Sequence, residues 1–360
     1  MGKYRIATIL PEESQTAAGT KTIDLNLSDV ISRIEIKLDR LKAQNAMTSF
    51  AAADVTKIEL VDGSDVLFSL TGYECQALNI YDRKCGSMNE GCHINANDEI
   101  SHYGLDFGRY LYDTMLALDP KRFTNLQLKI THTLVSGDSS CVSGTMEVRA
   151  WVFDEKKVTP SAFLMAKEIY SYTCGAANSY EYIDFPMDYP IRKMLIRGYY
   201  TATNPCDTIS EFRIDENMEQ KIPIDMGTET YFSFMITSNK WQPIYEQFQA
   251  TLSASATYYV TPTWYWNDVS FWPSTSTTQY RSAVGAGGRI TITTTGAAEL
   301  NGSVRGYLPN HCIEVPFGDP DELTDWYDVT GKSQVRLRLK AGGNGTNGTA
   351  QIVLQQLRRY

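Results

Sequence analysis

Cys85, Cys92 and His93 raise the first chemical question, because thiolate and imidazole are zinc ligands. A tetrahedral site needs four ligands, usually in closely spaced pairs. Cys85 and Cys92 lie seven residues apart, and Cys75 and His102 are the nearest candidates for a fourth ligand. Ordinary thiols in a packed loop explain the group more simply, and no metal is expected. Asp319, Asp321, Glu322 and Asp325 form a loop rich in carboxylate oxygens, the donors calcium takes. The segment Asp319 to Asp325 lacks a complete calcium-loop pattern. A solvated loop, or one facing a basic neighbour, is the simpler reading. Asp184 and Asp188 match a glycosidase pair in residue type alone, and two acids among 42 say little without geometry. His132 and His311 fall on or near strands, where a packed histidine is commoner than a ligand. The run Gly342-Gly-Asn-Gly-Thr-Asn-Gly348 lacks the Lys-Ser or Lys-Thr of a phosphate loop and reads as a hairpin.

The aromatic residues remain. Trp264, Trp266 and Trp272 crowd into one stretch with Trp241, Tyr258, Tyr259, Tyr265 and Tyr280. Tryptophan faces stack on the apolar faces of sugars and bury much area. Such rings also build small cores of their own or contacts between subunits, and that reading is preferred. Trp264, Trp266 and Trp272 therefore stand as candidates for a ligand or intersubunit contact. No Gly-x-Ser-x-Gly elbow and no His-Glu-x-x-His occurs. No enzyme activity and no cofactor are expected.

The 360 residues are enough for two domains, each with its own core. The net charge of -9 makes general nucleic-acid binding unfavourable, and the basic residues form no single run. No stretch approaches the roughly 20 apolar residues of a membrane helix. The start, Met-Gly-Lys-Tyr-Arg-Ile-Ala-Thr, has no apolar leader region. Seven cysteines, an odd number, then read as free thiols made in a reducing cytoplasm.

The elements that must position these residues are strands. Ile34, Ile36 and Leu38 alternate with Arg33, Glu35 and Lys37; Ile58 and Leu60 alternate with Lys57 and Glu59; Leu126, Leu128 and Ile130 alternate with Gln127 and Lys129. A period of two marks half-buried strands. Asp62-Gly63 is a hairpin turn signal. Tyr73, Leu78 and Tyr81 suit one short helix. About eight short strands in the first 150 residues predict a β-sandwich or barrel. The pattern then repeats. Ile34-Glu-Ile36 returns as Met194-Leu-Ile196, Ile58-Glu-Leu60 as Phe212-Arg-Ile214, Leu126 to Ile130 as Val335 to Leu339, and Gly144 to Phe153 as Gly348 to Leu357. A repeat of this length points to two copies of a whole domain. The offset between copies grows along the chain, so the second copy carries an insertion in its middle. The expected organisation is an N-terminal arm over 1–22, a first domain over 23–165 and a second over 166–360. Residues 154–168 read as the linker. The aromatic-rich insertion lies at about 238–304 and projects as a small β-subdomain, because loops leave a sandwich at its ends.

Strand-and-turn patterns carry a family resemblance. They are Val55-Thr-Lys-Ile-Glu-Leu-Val-Asp-Gly63 with Leu67-Phe-Ser-Leu-Thr-Gly72, Leu105-Asp-Phe-Gly108, and Asp119-Pro-Lys-Arg-Phe123 before a strand. In the second half they are Asp188-Tyr-Pro-Ile-Arg192 and the strand–turn–strand from Ile209 to Pro223. Over residues 23–357 the chain resembles the double jelly-roll major capsid proteins of tailless icosahedral viruses, the lineage of adenovirus hexon and membrane-containing phages. The resemblance implies an all-β fold: two consecutive eight-stranded jelly-roll sandwiches with a tower-like insertion in the second. It implies homotrimers that form pseudo-hexagonal tiles, synthesis in the host cytoplasm and a place in the virion. Implied partners are other copies of the chain, neighbouring trimers, minor capsid or penton proteins and an internal membrane, with no specific nucleic acid. The competing function is a carbohydrate-binding or adhesive protein that uses the aromatic insertion. A two-domain β-sandwich glycosidase is the third reading.

Overall fold

In the strand Ile31–Lys42, Ile34, Ile36 and Leu38 are fully buried, while Arg33, Glu35 and Lys37 between them are partly open. One face of a pleated strand is thereby committed to a core, and this fixes its register. The computed structural model describes residues 3–43, 45, 48–133, 141–252, 255–265, 267–273, 280–282, 287–294 and 298–360. Its first half holds β1 (Tyr4–Gln15), β2 (Gly19–Asp24), β3 (Ile31–Lys42), β4 (Val55–Asp62), β5 (Asp65–Leu70), α1 (Gly72–Arg83), β6 (Asn89–His93), β7 (Asp98–Asp106), β8 (Leu126–His132) and β9 (Cys141–Phe153). The second half begins with β10 (Ala162–Thr173), β11 (Tyr180–Asp184), β12 (Ile191–Tyr199), α2 (Pro205–Thr208), β13 (Ile209–Glu216), β14 (Lys221–Gly227) and α3 (Thr228–Thr237). The insertion follows with β15 (Ile244–Leu252), β16 (Ser255–Tyr259), β17 (Asp268–Pro273), β18 (Tyr280–Ser282), β19 (Arg289–Thr294) and β20 (Ala298–Gly306). Then come β21 (Cys312–Pro316), β22 (Val335–Ala341) and β23 (Thr349–Arg359).

The two halves share one topology. In the first, the order β1-β9-β3-β7 faces β2-β8-β4-β5; in the second, β10-β23-β12-β21 faces β11-β22-β13-β14. These are two jelly rolls of eight strands each. The ladders carry the sequence repeat residue by residue. Ile34 pairs with Ala150 and Leu105, and its counterpart Met194 pairs with Leu354 and Val315. Ile58 pairs with Ile130 and Leu70, and its counterpart Phe212 pairs with Leu339 and Met226. Each half closes around its own apolar cluster, one built on Ile34, Leu60, Leu128 and Val148, the other on Ile196, Phe212, Leu339 and Ile352.

Two parallel pairings weld the halves. β5 meets β10 through Phe68–Ala166 and Ser69–Lys167. β6 meets β15 through Gly91–Phe248, Cys92–Gln249 and His93–Ala250. Two eight-stranded sheets therefore run across both halves. The insertion has a core of its own, with Phe248, Tyr258, Ile290, Ile292 and Val304, but its sheet continues that of the first jelly roll. Gly302 is required there: a Cβ on it would fall inside the ring of Phe248.

Two expectations change and a third holds. The segment expected as an arm over 1–22 is instead two strands: β1 pairs with β9 and β2 with β8. Its polar composition misleads because β1 is a sheet edge, where most side chains are exposed and only Ala7 and Leu10 turn fully inward. The linker expected over 154–168 ends early, since β10 starts at Ala162 and buries Phe163, Leu164 and Met165. The helix suggested by Tyr73, Leu78 and Tyr81 is borne out as α1, opened by a capping box in which the Thr71 side chain accepts from the Glu74 amide and the Glu74 carboxyl oxygen accepts from the Thr71 amide.

Candidate functional site: the seam between the halves and the open faces

β12 and β23 are buried on both faces. Met194, Ile196, Ile352 and Leu354 fill the second core, so the alternate positions meet the first half. Those positions are Lys193, Leu195 and Arg197 on β12, and Gln351, Val353 and Gln355 on β23. Leu195 and Val353 join the first core. The polar members receive α1. Asp82, at its last turn, accepts from Arg192 at 2.6 Å, from Lys193 Nζ at 2.7 Å and from the Gln355 amide at 3.2 Å. Lys193 also pairs with Glu314, whose other oxygen accepts from Trp241 Nε1 at 3.1 Å. Tyr81 donates to the Cys312 carbonyl at 2.9 Å. Burial alone would raise the Asp82 carboxyl, but Arg192 and Lys193 outweigh it and hold the group well below the usual carboxylate range. A buried ion network of this kind adds little net stability, yet it is costly to break. Its consequence is a fixed pose of one sandwich against the other.

Farther along the seam, Arg197 donates to Gln351, and the Gln351 amide donates to Glu168 at 2.7 Å. Glu74 is fully buried beside them. Burial first, then the charge of Glu168, push its carboxyl up to about 8. The Arg197 guanidinium lies 4.2 Å from the Tyr73 ring centre and 5.1 Å from that of Tyr199. His311 packs edge-on to Tyr199 and Phe50 and is held neutral by burial and by Arg197. Sequence reasoning did not single out this seam. The available signal was three cations within the seven residues from Ile191 to Arg197 of an otherwise apolar strand.

The outward sheet of the second half is charged instead. Tyr182, Arg338, Arg213 and Asp225 line up across its four strands. Arg336 pairs with Asp184 at 2.8 Å, and Arg338 sits over the Tyr180 ring at 5.1 Å. Tyr180 and Tyr182 are about half exposed. At its edge, β14 carries Lys221, Pro223 and Asp225, residues that discourage strand addition. Exposed apolar side chains gather at the start of β1 and in the loop after β7: Tyr4, Ile6, Tyr110, Leu111 and Met115. Tyr4 stacks on Tyr112 of that loop at 4.0 Å.

The residues chosen from sequence are dispersed. Cys85 packs its sulfur on Met88, Cys92 lines a groove, and His93 stacks on Tyr258. Among the described residues, no group of three or more His, Cys, Asp and Glu gathers as a metal site. In the Asp319–Asp325 loop, the Asp321 carbonyl accepts from Arg109 at 2.8 Å, and the Asp321 carboxylate lies 3.7 Å from Arg192. Asp184 faces Arg336 and Gln334 on an open sheet. The Gly342–Gly348 run joins β22 to β23 and packs against α2, where a Cβ at Gly342 would strike the Asp207 carbonyl. Trp264 belongs to the second core, stacked on Phe232 at 3.8 Å and 7% exposed. Trp266 lies outside the described residues. Trp272 sits on β17 at the register position beside Asn301.

No family model matches the chain, and no curated protein matches it in sequence. Solved structures do match in shape. The capsid protein in the crystal structure of the STIV MCP, from Sulfolobus Turreted Icosahedral Virus, aligns at TM-score 0.61 and 11% identity over 99% of this chain and 97% of its own. The major capsid protein of bacteriophage PM2 aligns at 0.57 and 9% identity, covering 99% and 98%. A chain of the PBCV-1 virus capsid aligns at 0.58 and 10% identity, covering 98% and 93%. From end to end, this chain has the double jelly-roll fold of those viral capsid proteins.

Proposed function

We propose that the chain is the major capsid protein of an icosahedral virus. Three copies would form a pseudo-hexagonal tile, and tiles would pave the shell. The observation that carries this reading is the duplication held rigid by the seam. Two bodies of one topology, locked by Asp82, Arg192 and Lys193, would let a three-subunit ring offer six nearly equivalent blocks. The end-to-end match to capsid proteins of three viruses supports the same role. Contacts to neighbouring copies would use the charged outer sheet of the second half and the exposed apolar group around Tyr4, Tyr110 and Met115. Lasting interfaces of this kind bury on the order of 2,000 Å² or more. The remaining partners would be minor capsid or penton proteins and an internal membrane. The protein would be made in the host cytoplasm, reside in the virion and catalyse nothing. Negative-stain imaging of the purified chain tests the proposal. Particles with a hexagonal outline and six lobes are expected; isolated two-lobed particles at all concentrations would overturn it.

A further inference from the structure

The parallel joint between β6 and β15 leaves a groove of about 830 Å³ on the outer face of the sheet that runs from the first jelly roll into the insertion. The shell reading does not involve it, and of the three tryptophan candidates only Trp272 borders it, through its register position beside Asn301. On β15 the side chains alternate cleanly: Glu246 and Phe248 turn inward, while Tyr245, Gln247 and Gln249 face out. The register sets Gln249 between Cys92 on β6 and Asn301 on β20. Asn97 closes the groove from the turn before β7. Gln249, Asn301 and Asn97 have no side-chain hydrogen-bond partner among the described residues. Gln247 donates to the Tyr245 hydroxyl at 2.9 Å and fixes a ring that is 48% exposed.

We propose that this groove binds a neutral oligosaccharide. Its composition selects that class. Each amide both donates and accepts, as a sugar hydroxyl does. Neighbouring cross-strand positions lie about 5 Å apart, so Gln249 and Asn301 can engage hydroxyls of one ring. The Tyr245 face supplies the flat apolar surface on which a pyranose stacks. Glu90 and Asp98 line the groove, and among the described residues no Lys or Arg does, so an acidic sugar would be repelled. Gly91 and Gly302, both covered from beneath by Phe248, keep the sheet close-packed at the joint. The groove lies within one chain, so its test stands apart from whether the chain forms shells.

The test uses the purified protein in the oligomeric form it adopts. Saturation-transfer NMR is run with lactose, maltose, cellobiose and chitobiose, and with sialyllactose as the charged comparison. At least one neutral disaccharide is expected to bind, and sialyllactose to bind more weakly than lactose. Gln249→Ala and Tyr245→Ala should each weaken binding about tenfold. Both side chains are exposed, so circular dichroism and the melting temperature should match the parent. A bound sugar should also slow iodoacetamide labelling of Cys92 and leave that of Cys85 unchanged. Absence of transfer to all four neutral sugars would overturn the proposal. So would affinity unchanged in both variants, or a preference for sialyllactose.

Discussion

Asp82 stands on a helix of the first sandwich and holds two cations of the second. Replacing it by Asn keeps the shape and removes the charge, leaving Arg192 and Lys193 buried with too little compensation. Asp82→Asn should destabilise the protein by about 3–5 kcal/mol, read by urea unfolding. An unchanged midpoint would mean that the seam does not depend on this pair. The pH dependence differs between the two buried acids of the seam. The Asp82 carboxyl is held below its ordinary 3.8, so its contribution is present above that value and is lost as pH falls through the lowered one. Glu74 behaves oppositely. Its carboxyl lies at about 8 in the fold against an ordinary 4.5, so the folded state keeps a proton that the unfolded chain has released. Stability from this group is complete below the ordinary value and falls as pH rises through the window from 4.5 to about 8. Glu74→Gln should remove that fall. Melting temperatures of parent and variant at about pH 5 and about pH 8 measure it, and an identical pH slope in both would contradict the assignment.

Among the elements, the insertion shows most clearly what the sequence carries and what it hides. Its strands, aromatic content and place in the second half are readable from alternation and from the growing repeat offset. Its attachment is not, because the parallel β6–β15 pair joins residues far apart in sequence that share no local signal. Trp264 illustrates the same limit. By number it falls within the insertion, yet the chain returns there to the second core and stacks it on Phe232. Trp264→Ala should therefore cost about 3–5 kcal/mol in global stability, and calorimetry would show it as a lowered melting temperature. A fully stable variant would argue that the ring serves something other than packing. β1 was hidden for a different reason. An edge strand that buries only Ala7 and Leu10 lacks the alternation that revealed β3, and Glu13, Ser14 and Gln15 look like a tail until β9 pairs with them. The seam cations were the hardest to read, since charge on a strand ordinarily marks a solvent face. Only a second layer packed on β12 turns Lys193 and Arg197 inward.

At the scale of the whole molecule, duplication and rigidity act together. Each jelly roll closes its own core, and the welded sheets with the buried ion network prevent the two from turning against each other. A flexible pair of sandwiches would waste binding energy on ordering each time a ring closed, whereas a rigid pair is already arranged. On the proposed reading, a net charge of -9 would favour association through shaped faces over general collapse. The most direct test of the central claim is the native mass of the purified protein by light scattering across a concentration series. The account predicts a stable species of three 40.4 kDa chains. A monomer or dimer that persists at every concentration would contradict it.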